Sequence, residues 1–242
     1  MIERPIKKVA TESYLYSFKD EDGSYNHSLD EEMQRVESAA SVAIEQLSAM
    51  VNDVIRTRRA AVPIADSLVN SIMELLYWQI KRHPDMIAEI ELECKRWCLD
   101  KGYSPERAKA MALKSVKQLG RGGECDIRRE FEKKNKLIIF TLKPEAHFIT
   151  SDRPFVRFNK TGKDGISVEG TEMYYPITSS MLLFMCGNGQ RKEMHPERSR
   201  PWLRTFNTHM AKSARRYLFG KSDRYLRRVV RNLRRGQADT GA

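Results

Sequence analysis

The chain has 242 residues, 40% hydrophobic and 31% charged, enough for one sizeable core or two modest ones. Its three Trp, nine Tyr and nine Phe, with many aliphatic residues, exclude a disordered composition. The formal net charge is +11, and residues 200–242 hold twelve Lys/Arg against two Asp, so +10 of that charge sits at one end. A near-neutral body with a strongly basic end suits an anionic partner: nucleic acid, an acidic protein face or anionic lipid.

The longest purely apolar run is residues 181–186, far short of the roughly 18 needed to span a membrane as a helix. The first eighteen residues carry charges throughout and show no apolar leader segment. Cys94, Cys98, Cys125 and Cys186 have no disulfide-framework spacing. These features predict a cytoplasmic protein with reduced thiols.

Residues 9–29 are expected to form a β-hairpin, with Tyr14, Tyr16 and Phe18 alternating and Asp22-Gly23 as the turn. Ser28 followed by Glu31 has capping-box spacing and opens a long helix. Met33, Val36, Ala40, Ala43, Leu47, Met50 and Val54 form its apolar stripe, and Pro63 stops or restarts it. A second helix is expected from about Ile64 to Arg82, ended by His83-Pro84. A third carries Met86, Ile90, Cys94, Trp97 and Cys98, with Gly102 as its stop. Ser104-Pro105 starts a fourth, which ends at Gly120 before the break Arg121-Gly122-Gly123.

Beyond that break the period changes. Short strands are expected at 137–141, 148–150, 155–158, 173–177 and 181–186, with a hairpin loop at 160–165. They predict a small, mostly antiparallel sheet, which the N-terminal hairpin could extend. Two helices close the chain. Ser199-Arg200-Pro201 starts the first, and Trp202, Phe206, Met210, Ala214 and Leu218 give an i, i+4 stripe as far as Gly220. Ser222 or Asp223 caps the second, where Leu226, Val229, Val230 and Leu233 form a narrow apolar side.

The predicted fold class is therefore α+β: an N-terminal β-hairpin, a four-helix segment, an antiparallel sheet and two C-terminal helices. It is read as one domain over 1–242, with subdivisions at 28–120, 136–220 and 221–242.

Two segments can carry chemistry. Arg224, Arg227, Arg228, Arg231, Arg234 and Arg235 take the rest of the final helix, with no acid or Lys among them. The planar guanidinium fork matches two phosphate oxygens at once, so a run of arginines without counter-charges favours an anionic partner. A solvated amphipathic face is the plainer alternative.

The second segment places His147, Thr150, Ser151, Asp152 and Arg153 within eight residues, before Pro154. Asp152 could act as a base or ligate a metal, Ser151 as a nucleophile and His147 as a base. Equally, an Asp before Xaa-Pro is a natural turn former, because its carboxylate accepts backbone N–H groups. No motif names a cofactor. Cys94 and Cys98 have core spacing rather than the gap of a zinc knuckle.

The order of these parts resembles the bacterial family known as domain of unknown function 4238. Tyr14-Leu15 and Phe18 match its opening pattern, Asp22-Gly23 its hairpin, Val36-Glu37 its first helix and Arg82-His83-Pro84 its helix end. Thr150-Ser151-Asp152-Arg153-Pro154 matches its T-S-D-N-P segment, Pro176-Ile177-Thr178 a strand entry and Asn207 a helix position. Lys8 and Thr11 stand where the family has His and Pro, and Arg153 replaces its Asn. The resemblance implies that Glu37, Arg82 and Asp152 meet in the fold as a reactive cluster or as an ion network.

The leading expectation is a nucleic-acid-binding protein and candidate phosphodiesterase. The arginine helix would hold the backbone, and Asp152 with Glu37 would form the reactive cluster. The alternative is a non-enzymatic module that docks on an acidic protein.

Overall fold

The computed structural model describes residues 18–19, 24–81, 83–103, 107–120, 126–142, 145–163, 165–197 and 199–238. The expected features at Lys8, Thr11, Tyr14, Tyr16, Asp22-Gly23, Arg82, Ser104-Pro105, Arg121-Gly122-Gly123 and Cys125 lie outside them. The chain divides into two compact units, residues 1–38 with 81–123 and residues 39–80 with 124–242. Among the described residues no helix is long and apolar enough to cross a membrane.

The first unit contains β1 (Phe18–Lys19) and β2 (Tyr25–Asn26), which pair antiparallel as a hairpin requires. They form their own two-stranded sheet and do not extend the main one. Helix α1 (Ser28–Thr57) starts in this unit. Its cap comes from Asn26, whose Oδ1 accepts the Ser28 amide at 3.0 Å, and not from a Ser28–Glu31 box. Helices α3 (Pro84–Asp100) and α4 (Arg107–Gly120) complete the unit. Gly102 ends α3 as expected, with φ +71°. Its amide bonds Leu99 and the Tyr103 amide bonds Cys98, a glycine-terminated helix end. Cys98 is buried here and Cys94 half-buried.

The second unit is built on a six-stranded sheet. It comprises β3 (Val62–Pro63), β4 (Asn135–Phe140), β6 (Val156–Phe158), β7 (Glu172–Pro176), β8 (Met181–Cys186) and β9 (Lys192–Pro196), in the order β3-β9-β4-β8-β7-β6. All neighbours run antiparallel except β4 and β9, so the sheet is mostly antiparallel as expected, with one parallel pair, and larger than the small sheet expected. The chain reads as one unbroken apolar run in β8 because both faces are covered. Leu183 and Met185 join one core with Leu47 and Val51 of α1 and Ile72 and Leu76 of α2 (Asp66–Lys81). Leu182 and Phe184 join the other, with Leu203, Phe206 and Met210 of α6 (Arg200–Ser213) and Val229 of α7 (Asp223–Ala238).

Four elements escape the sequence reading. Val62–Pro63, where Pro63 was expected only to stop or restart a helix, pairs with β9 as strand β3. Strand β9 is polar, with only Met194 buried, and its charges are satisfied locally: Lys192 by Asp66 at 2.9 Å and His195 by Glu193 at 2.9 Å. Helix α5 (Asp126–Glu132) is too short to show a period. The stripe through Ala214 and Leu218 predicted one helix to Gly220, but α6 stops at Ser213, and Ala214 turns extended. Residues Leu218–Phe219 form β10, paired antiparallel with β5 (Thr150–Ser151). Tertiary pairing overrides helical spacing here.

Candidate nucleic-acid interface

The T-S-D-R-P segment is where that helix is cut short. Asp152 Oδ1 accepts the Arg215 amide at 3.0 Å and Oδ2 accepts the Arg216 amide at 2.8 Å. The Asp152 amide donates in turn to the Tyr217 carbonyl at 3.2 Å. Those two arginine amides would otherwise bond carbonyls one turn back in α6. Ser151 is buried, accepts the Arg153 amide at 3.0 Å and donates to the Arg153 carbonyl at 2.8 Å. Both side chains therefore hold backbone: Ser151 shapes the turn before Pro154, and Asp152 ties that turn to the segment after α6.

His147 lies at the start of the same stretch, 5% exposed. Among the described residues neither ring nitrogen meets a partner at strict hydrogen-bonding geometry, and the Glu145 backbone is a polar neighbour of the ring. The ring packs on Tyr225 of α7, centroids 4.3 Å apart. Burial pushes the His147 pKa down, the Glu145 backbone opposes that shift, and Lys221 adds to it.

Asn207, 1% exposed on α6, joins the two elements. Its Oδ1 accepts the Ile149 amide at 3.0 Å. Its Nδ2 donates to the His147 carbonyl at 3.0 Å and to the Tyr225 hydroxyl at 2.7 Å. One amide side chain thus fastens α6, the base of α7 and the 147–149 segment that leads into β5.

Helix α7 begins as expected, with Ser222 Oγ accepting the Tyr225 amide at 3.3 Å. Val229 is buried, and Leu226 and Leu233 pack against the α6 side of the core. At about 100° per residue, Arg224, Arg227, Arg228 and Arg231 fall within an arc of roughly 100°, opposite those apolar residues. All four are exposed. Arg227 pairs with Asp223 at 2.6 Å. Among the described residues no acid lies within ion-pair distance of Arg224, Arg228 or Arg231. Arg234 and Arg235 continue the same helix.

A cleft of about 270 Å³ on the opposite face of the sheet makes a useful contrast. It too is lined by cations, but these are engaged. Arg128 pairs with Glu74 at 2.8 Å, and Lys136 Nζ donates to the carbonyls of Glu132 and Lys134 at 2.9 Å each. Burial pushes the Lys136 pKa down, and Lys192 adds to the shift.

Of the remaining expected site residues, Glu37 is exposed on α1 and belongs to the first unit, whereas Ser151, Asp152 and His147 belong to the second. Arg82 lies outside the described residues. Among the described residues no three His, Cys, Asp or Glu side chains group as a metal site.

The chain between α6 and α7 is hidden in the sequence, because its apolar spacing continues that of α6. A faint signal was there: Tyr217-Leu218-Phe219 is rich in strand-favouring aromatics and ends at Gly220. A Cβ at Gly220 would stand 3.1 Å from Leu226 and 3.3 Å from Ile149, so glycine lets this ribbon pass close to α7.

The chain matches no curated protein and no solved structure. The family described as protein of unknown function DUF4238 matches residues 1–224, a span that ends one residue into the exposed arginine stripe and takes in the Asp152 clamp and the Asn207 junction. The chain therefore belongs to the DUF4238 family.

Proposed function

We propose that the protein binds nucleic acid through the outer face of α7. The observation that carries this is the exposed stripe of Arg224, Arg228 and Arg231, with no acid at ion-pair distance among the described residues. A solvated face normally mixes signs, and the cleft on the other side of the sheet does so. A stripe of one sign, built from the residue best suited to phosphate, favours a polyanion.

Cleavage of the bound strand is a weaker part of the reading. Asp152 and Ser151 would have to leave their backbone partners to act on a phosphodiester. We therefore favour binding over hydrolysis. Docking on an acidic protein is the rival, and the same experiment separates them.

The test is a gel-shift titration with labelled single-stranded RNA and duplex DNA at low and moderate salt. Deleting α7 would be a poor control, because Val229 and Tyr225 are packed into the core. Arg224→Gln with Arg228→Gln and Arg231→Gln keeps the docked face and removes three charges. Salt-sensitive binding that weakens in this variant supports the proposal, and a shortened label would reveal cleavage in the same lanes. No shift at low salt with either probe sinks it and favours the acidic protein partner.

A further inference from the structure

We infer that Tyr217 and Phe219 form a base-stacking platform, so that the nucleic acid bound is single-stranded. The inference rests on the phosphate-binding reading of α7 and adds what that reading lacks, a reason to select one strand form.

Leu218 packs into the core on the α6 side of the sheet, and Tyr217 and Phe219 join neither core. Side chains alternate along a strand, so these two rings face away from the core that Leu218 enters. Both are half-exposed, with centroids 6.3 Å apart and planes at 37°. The arginine stripe of α7 likewise faces away from that core, because Leu226 and Val229 fill it from the opposite side of the helix. Arg224 follows Phe219 by five Cα–Cα steps, at most about 18 Å of chain. Exposed Arg215, Arg216 and Lys221 flank the rings.

The platform is held by its backbone. Leu218 pairs with Ser151 and Phe219 with Thr150 in the ribbon. The Asp152 carboxylate holds the amides of Arg215 and Arg216, and the Asp152 amide holds the Tyr217 carbonyl. Aromatic faces beside a cationic track are what unpaired bases recognise, since each base offers a π-face while phosphates follow the charges. In a duplex those faces are already stacked, so the arginines would meet the duplex but the rings would not.

The experiment measures fluorescence anisotropy at low salt with a short single-stranded RNA, a single-stranded DNA of the same sequence, and the DNA duplex. Tyr217→Leu with Phe219→Leu keeps apolar bulk and removes stacking. The expected result is an unchanged duplex affinity and a loss of about tenfold or more on either single strand. The arginine variant should instead weaken all probes. If the leucine variant binds single strands as tightly as the wild type does, the platform is wrong and the arginine reading stands. If the wild type binds no probe, the arginine reading itself fails. Should the double variant melt early, Tyr217→Leu alone carries the same comparison.

Discussion

The carboxylate of Asp152 spans 64 residues of sequence to take the backbone amide of Arg216 at 2.8 Å, with its other oxygen on Arg215. This contact turns a family motif into a clamp. It ends α6, starts the ribbon, and fixes where Tyr217 and Phe219 stand.

Asp152→Ala should therefore be a folding variant before it is anything else. It leaves two exposed amides to water, and the expected loss is about 1 kcal/mol. Asp152→Asn keeps one good acceptor and should lose roughly half as much. Chemical denaturation checks both. A wild-type midpoint for Asp152→Ala, with altered nucleic-acid chemistry, would return Asp152 to a catalytic role.

Asn207 should matter more. It is buried and satisfies the Ile149 amide, the His147 carbonyl and the Tyr225 hydroxyl together. Asn207→Ala leaves at least two buried groups without partners, and the expected cost is about 2–5 kcal/mol. The same denaturation experiment should place it below Asp152→Ala. Equal stabilities would mean that the junction relaxes or admits water.

His147 predicts a pH dependence. Its folded pKa is depressed, chiefly by burial, so a proton prefers the unfolded chain. Stability is then full above the unfolded value of about 6.5 and falls as the pH drops through it. His209 is depressed by burial too, with Lys212 adding to it, so it contributes in the same sense. His147→Phe should stay within about 1 kcal/mol of wild type in mild alkali, because among the described residues neither lost nitrogen makes a hydrogen bond of strict geometry. It should also lose less stability than wild type on acidification. Thermal melts across that range decide the point, and identical acid losses would contradict it.

Much of the fold was legible in the sequence where one periodicity acted alone. The four helices of residues 28–120 and strand β8 follow from apolar spacing, and Ser199 caps α6 as its sequence suggests. The strand β9 was hidden because its neighbours, not its own side chains, bury it. Residues 214–219 were hidden for a different reason. Their apolar positions fit a helix as well as a strand, and only the distant Asp152 and β5 decide between them. The candidate site was legible as charge, through the arginines of α7. What lay beyond reading was the use of Ser151 and Asp152, since turn formers and catalytic groups share residue types.

The central claim is that the stripe on α7 binds phosphates. The most direct measurement is the salt dependence of affinity for single-stranded nucleic acid, for wild type and for the variant with Arg224, Arg228 and Arg231 changed to Gln. Log affinity should fall linearly with log salt in the wild type, and the slope should flatten by about 0.7 for each arginine that meets a phosphate, roughly 2 in all. An unchanged slope and affinity in the variant would contradict the account.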